Sequence, residues 1–261
     1  MSDTLRAIQL SGAQVMAILV VLARVSPLFA LAPLFSSKLL PARARGLCAV
    51  GLSVGLAPIV AKGVRPPDGV LAMIVTLAGE VLVGMTFAFV LSVLFAAVSS
   101  AGAFLDTLIG FSYGSLVDPI TGTQTSVLSN LYAMVAVLVF IAIGGDTWVV
   151  EGFARTYDLV PAGTLPSIAR LAHGADAAFA QVFLSALEVA GPVVLALVLT
   201  DAALGIVSRS VPQLNVFAVG FPAKIVVGLV VIGASLPFAA GWIADAVQGS
   251  VSDALRTLQG A

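Results

Sequence analysis

Apolar residues fall into six long runs, at about 12–35, 46–61, 70–105, 127–143, 177–207 and 216–244, with short polar stretches between them. A helix needs about twenty such residues to cross a hydrocarbon core roughly 30 Å thick. The pattern therefore predicts an all-α integral membrane chain. No strand–helix alternation, fixed-period repeat or hydrophilic domain interrupts it. Two runs are too long for simple spans: as single helices, 70–105 would reach about 54 Å and 177–207 about 46 Å. Either they fold back on themselves or they are not ordinary spans.

The interruptions point the same way. Arg24, Glu80, Glu188, Asp201 and Lys224 lie within or beside the runs, and Pro27, Pro33, Pro58, Pro192, Pro222 and Pro237 remove backbone donors inside them. Broken helices and charges at membrane depth are tolerated where protein or a water-filled cavity surrounds them. Small residues four apart, as in Gly51-x-x-x-Gly55, permit close helix contact. Positive charge does not orient the chain. Lys38, Arg43 and Arg45 fill one loop and Lys62 and Arg65 the next, where a regular weave would alternate.

Two stretches read as irregular. Residues 102–126 are rich in Gly, Ser and Thr, with Asp106, Asp118-Pro119 and Thr121-Gly122, a composition that suits a loop. Residues 146–176 carry Asp146, Glu151, Arg155, Asp158, Arg170 and Asp176 and are broken at Pro161-Ala162-Gly163 and Pro166. They are expected to form a surface loop with short helical pieces. Val15 to Val25 could be a signal-peptide core, with Ala30-Leu31-Ala32 as a cleavage site. Arg24 interrupts that core and Pro33 follows the cut, so 12–35 is read as retained.

Composition narrows the function. The 261 residues are 60% hydrophobic and 10% charged, with a mean hydropathy of +1.13, whereas soluble domains carry about a quarter charged residues. So apolar a chain is either polytopic in the membrane or buried in an apolar assembly. A net charge of −1 offers nucleic acid no attractive surface. Cys48 and His173 are each unique, so no internal disulfide, ordinary metal site or other cofactor is expected.

Three chemistries remain to be weighed. Gly110-Phe111-Ser112-Tyr113-Gly114 matches the G-x-S-x-G nucleophile pattern. A nucleophile elbow needs a strand–turn–helix, and an intramembrane serine protease would have only His173 to serve as base. Glu80 and Glu188 could belong to a proton-coupled solute transporter, or be neutralised structurally by Arg24, Arg209 or Lys224. In the 102–126 stretch, glycines mixed with Phe104, Leu105, Leu108, Ile109, Phe111 and Tyr113 could seal an apolar constriction yet move.

Over essentially its whole length the chain resembles the FliR family of flagellar and type III secretion export-gate proteins. The likeness rests on Arg24-x-x-Pro27 with Pro33, Pro41-x-Arg43-x-Arg45, Gly79-Glu80-x-x-x-Gly84, Gly102-x-x-x-Asp106-x-x-x-Gly110 and Asp118-Pro119. The most specific match is Arg209-x-x-Pro212-Gln213-Leu214-Asn215-Val216-Phe217, and Val219-Gly220-Phe221-Pro222 looks more like the flagellar branch. The resemblance implies broken, kinked helical hairpins packed in a helical export gate, with a FliP-like portion at about 1–176 and a FliQ-like hairpin and tail at about 177–261. It implies FliP-like, FliQ-like and FlhB-like partners, a bacterial inner-membrane location in the flagellar basal body, and unfolded proteins as cargo. The function implied is a channel without covalent catalysis. A plug loop at about 106–122 would include Asp106, Gly110, Phe111, Ser112, Tyr113 and Gly114, with Asp118-Pro119 anchoring its end. Arg24, Pro27, Glu80, Arg209, Pro212, Gln213, Asn215 and Lys224 would serve structure and assembly, the polar ones among 209–215 capping helix ends.

Overall fold

A computed structural model of the chain describes residues 12–32, 35, 41–60, 69–111, 126–211 and 216–259. Seven helices account for nearly all of them: α1 (Gly12–Leu31), α2 (Ala42–Val60), α3 (Val70–Ile109), α4 (Val127–Ala142), α5 (Gly145–Leu159), α6 (Ile168–Ser210) and α7 (Val216–Leu258). There is no strand among the described residues. α1, α3, α6 and α7 are long and apolar enough to cross a membrane. The chain is an all-α integral membrane protein.

The long runs do not fold back. α3 continues for 40 residues, and α6 and α7 for 43 each. Pro192 lies inside α6, and Pro222 and Pro237 inside α7, without splitting either helix. At Pro27, inside α1, the adaptation is visible. Proline has no N–H for the carbonyl of Ala23 four residues back, and the Ser26 hydroxyl donates to that oxygen at 3.1 Å instead.

The chain forms two compact units, each discontinuous in sequence. One comprises Met1–Ser92, Asp146–Phe179 and Gln248–Ala261; the other comprises Val93–Gly145 and Ala180–Val247. In the first, α1 packs on α2, and Val83, Val160, Leu171 and Leu258 form a buried apolar cluster. Phe87 and Phe153 meet edge to face at 5.6 Å. In the second unit, Phe95 and Phe140 pack with centroids 5.9 Å apart. Ile109 and Leu197 close over Gly228 so tightly that a Cβ there would lie 2.7 Å from Ile109 Cδ1.

Two expectations need correction. Residues 102–109 are not loop: α3 runs through them, with the Thr107 hydroxyl bonded to the Ala103 carbonyl, and stops only at Gly110, whose φ is +102°. Residues 112–125 lie outside the described residues. The 146–176 stretch is mostly helical, contributing α5 and the first turns of α6, with only Val160–Ser167 between them. The helix breaks just before α5, at Gly144, with φ +67°.

A Cβ on Gly51 or Gly55 meets nothing within 4 Å among the described residues, so the contact their spacing permits is not made there. Backbone approach falls instead on Gly84, where a Cβ would sit 1.9 Å from the Arg24 carbonyl oxygen, and on Gly102, where it would lie 2.5 Å from that of Leu128. Gly84→Val should therefore force α1 from α3 and lower the melting temperature of detergent-solubilised protein by roughly 5–10 °C. Gly51→Val should change it by less than about 2 °C. Equal melting curves would refute this packing.

Candidate functional site

Arg24 is fully buried on apolar α1. A guanidinium at such a place needs its donors matched, since an unpaired buried charge is costly. Its Nε donates to Glu80 Oε2 on α3 at 2.6 Å. Nη1 donates to the carbonyl and hydroxyl oxygens of Thr156, at 3.2 and 3.3 Å, and Nη2 to the Val160 carbonyl at 3.0 Å. The guanidinium carbon lies 4.1 Å from the centre of the Tyr157 ring, a cation–π contact. One side chain thus ties α1 to α3, to the C-terminal end of α5 and to Val160 just beyond it.

Glu80 completes the staple. It too is buried, and its second oxygen, Oε1, accepts the Gly163 backbone N–H at 2.7 Å. Gly163 has φ +83°, a left-handed conformation that lets the Pro161-Ala162-Gly163 turn present its amide. On α3, Gly79 leaves room for Leu165 and Pro166, which a Cβ would approach to 3.2 and 3.3 Å. Each residue of Gly79-Glu80-x-x-x-Gly84 thereby has a physical reason: clearance for the turn, the carboxylate, and clearance for α1.

A second polar clip stands in the other compact unit. Asp106 is buried on α3, and its Oδ1 accepts the Leu128 N–H at 3.2 Å. A carboxylate is favoured there, because the first amides of α4 lack helical acceptors and carry the positive end of its dipole. The Ser126 hydroxyl accepts the Ser129 N–H at 3.1 Å, and the Ser129 hydroxyl donates to the Ser99 carbonyl at 2.9 Å. Gly102 permits the approach, and Gly110 and Phe111 donate their amides to the Asp106 carbonyl. Asp106 therefore fastens the end of α3 to the start of α4, the two feet of the 112–125 segment.

The remaining sequence-derived residues are dispersed. Pro27 is buried in α1; Gly110 is buried and Phe111 half-buried at the end of α3. Ser112, Tyr113, Gly114, Asp118, Pro119, Pro212, Gln213 and Asn215 lie outside the described residues. Arg209 is exposed in the last turn of α6, where its charge complements the helix dipole. Lys224 pairs with Asp201 at 2.7 Å rather than with a glutamate. Glu188 accepts the Trp242 indole N–H at 3.0 Å, and His173 is exposed on α6.

Thr156, Val160 and Gly163 escaped the sequence reading. Their contribution is mostly backbone carbonyl or amide, which no side-chain motif marks. No group of histidine, cysteine or carboxylate side chains that could hold a metal occurs among the described residues.

Arg24→Met should strand Glu80 in the interior and cost about 3–5 kcal/mol. Arg24→Met combined with Glu80→Leu should recover most of that loss. Thermal unfolding in detergent measures both, and a double variant no better than the single one would show that the pair is not the source of the cost.

Residues 15–250 match the bacterial export proteins, family 1. The flagellar biosynthetic protein FliR of Escherichia coli (strain K12) is 29% identical over 219 residues, covering 84% of each chain. FliR of Bacillus subtilis (strain 168) is 32% identical over 222 residues, covering 83% of this chain and 84% of its own. The surface presentation of antigens protein SpaR of Salmonella typhimurium (strain LT2) is 32% identical over 204 residues, 77% of this chain and 76% of that one. With the match spanning both compact units and the Arg24, Glu80 and Asp106 motifs, the chain belongs to the FliR family of bacterial export proteins.

Proposed function

We propose that this chain is a channel-forming core subunit of a flagellar type III protein export gate in the bacterial inner membrane. It passes unfolded flagellar subunits and is needed to assemble the flagellum. Its partners on this reading are FliP-like and FliQ-like subunits, an FlhB-like switch protein and membrane lipid. Family membership supports the export role. The observation that carries the assembly role is the state of α6 and α7, each longer than one membrane crossing needs and left largely uncovered. Buried residues make up 61% of the most apolar stretch of α3 but only 33% and 22% of those of α6 and α7. Leu195 and Leu199 on α6 are each 62% exposed, and Val230 on α7 is 65% exposed. Apolar surface of that extent is suited to neighbouring subunits as well as lipid.

The mechanism on this reading is gating without covalent chemistry. Phe111, Tyr113 and the glycines around them belong to a plug in the 106–122 region, and Asp118-Pro119 holds its far end. Asp106 contributes the near anchor, because it joins α3 to α4 whatever the intervening segment does. The energy for transport comes from outside this chain. Residues 177–261 act as a FliQ-like hairpin after a FliP-like portion, and the boundary at 176 falls within continuous α6. Proton-coupled solute transport through Glu80 gains no support, since both its oxygens are engaged by Arg24 and Gly163.

Co-expression with FliP-like and FliQ-like proteins, mild detergent extraction and native mass measurement test the proposal. The expected result is a discrete complex holding this chain and several copies of the two smaller subunits. A stable lone monomer that moves a solute in liposomes would overturn it in favour of a transporter. Arg209→Ala should reduce recovery of the complex before it affects transport per complex; normal recovery with normal motility would remove Arg209 from assembly.

A further inference from the structure

One carboxylate stands where neither lipid nor a plain apolar surface would accept it. Glu188 is exposed on α6. At about 100° per residue, Leu184, Leu195, Leu199 and Ile206 fall within roughly 40° of it on the helix circumference. All four are exposed, between 58% and 70%. Glu188 is thus the charged member of an uncovered apolar stripe. Its Oε2 accepts one hydrogen bond, from the indole Nε1 of Trp242 on α7 at 3.0 Å. A single neutral donor does not compensate a carboxylate removed from water.

The backbone adds a second acceptor at the same place. Pro192 lies four residues on, inside the helix, and cannot give the amide hydrogen that normally reaches the Glu188 carbonyl. At Pro27 the preceding Ser26 hydroxyl replaces the missing donor. Before Pro192 the residue is Gly191, which has no side chain to do so. Carboxylate and carbonyl therefore concentrate acceptor capacity at one position of an exposed apolar stripe. A group with several donors and a positive charge satisfies both.

We propose that the Leu184–Ile206 stripe of α6 docks a helix of a partner membrane subunit, apolar apart from one lysine or arginine, whose cation binds Glu188. Charge complementarity selects this occupant. A lipid chain would leave the carboxylate uncompensated, and an aqueous lumen would leave the leucines exposed to water. The small side of Gly191 beside Glu188 lets the partner's cation reach the backbone carbonyl. The inference rests on the gate-subunit reading, and the experiment separates the two.

The chain carrying p-benzoylphenylalanine in place of Leu195 is co-expressed with FliP-like and FliQ-like subunits and irradiated in the membrane. In parallel, native mass is measured for wild type, Glu188→Gln and Glu188→Lys. The expected results are a protein–protein adduct at position 195 and loss of complex beyond about tenfold for Glu188→Lys, with a smaller loss for Glu188→Gln. Changing the lysine or arginine of the adducted helix to glutamate should restore assembly of Glu188→Lys. A wild-type complex with no protein adduct would mean that lipid or water covers the stripe, and would overturn the proposal. So would normal assembly of Glu188→Lys. An absent wild-type complex would instead reject the gate-subunit reading itself.

Discussion

The cost of burying a guanidinium governs how α1, α3 and the end of α5 come together. Arg24 has no water to turn to, so each bond it makes to protein replaces hydration it has lost. Its acceptors come from α3, from the end of α5 and from the turn that follows. Those elements are fixed relative to one another by one residue's need for partners. The same demand accounts for the small residues nearby. Gly84 must be bare for α1 to lie against α3, and Gly163 must adopt a left-handed conformation to offer its amide to Glu80. Packing energy is nondirectional, whereas this set of bonds admits one arrangement.

Asp106 applies the same principle at a helix start. A buried carboxylate takes an amide that α4 cannot satisfy internally, and Ser126 takes another. In both clips the charged groups are buried, and each is matched by partners within the same compact unit. The polar groups on α6 and α7 differ. Asp201 is 54% exposed though paired with Lys224, and Glu188 is exposed with one indole donor. The chain thus separates polar residues that serve its own fold from polar residues presented outward on apolar helices.

Much of this was legible in the residues, and the failures have identifiable causes. The starts of the apolar runs at 12, 70, 127 and 216 coincide with helix starts, because hydrophobic periodicity and length are strong indicators of membrane helices. The polar composition of 102–109 misled because local propensity is a weak prior beside tertiary contact. Asp106 is held in α3 by what it does for α4, 22 residues later. Gly51-x-x-x-Gly55 has the spacing of a helix contact yet no close neighbour among the described residues, since spacing states what a helix permits and not what lies opposite. Arg24 and Glu80 could be picked out as a possible pair from their types and setting. Thr156, Val160 and Gly163 could not, because they act mainly through backbone atoms that every residue possesses.

Proline shows how local and external satisfaction divide the labour. Inside α1 the carbonyl freed by Pro27 is answered one residue away by Ser26, so that helix closes its own deficit and can be buried beside Arg24. Inside α6, Gly191 precedes Pro192 and offers no such answer, while the surrounding leucines remain uncovered. A helix in an apolar setting cannot leave a backbone carbonyl beside a carboxylate with one neutral indole donor between them. The first arrangement is complete within one chain. The second acquires its physical sense on the proposal made above, in which a polar-bearing helix of another subunit lies against it.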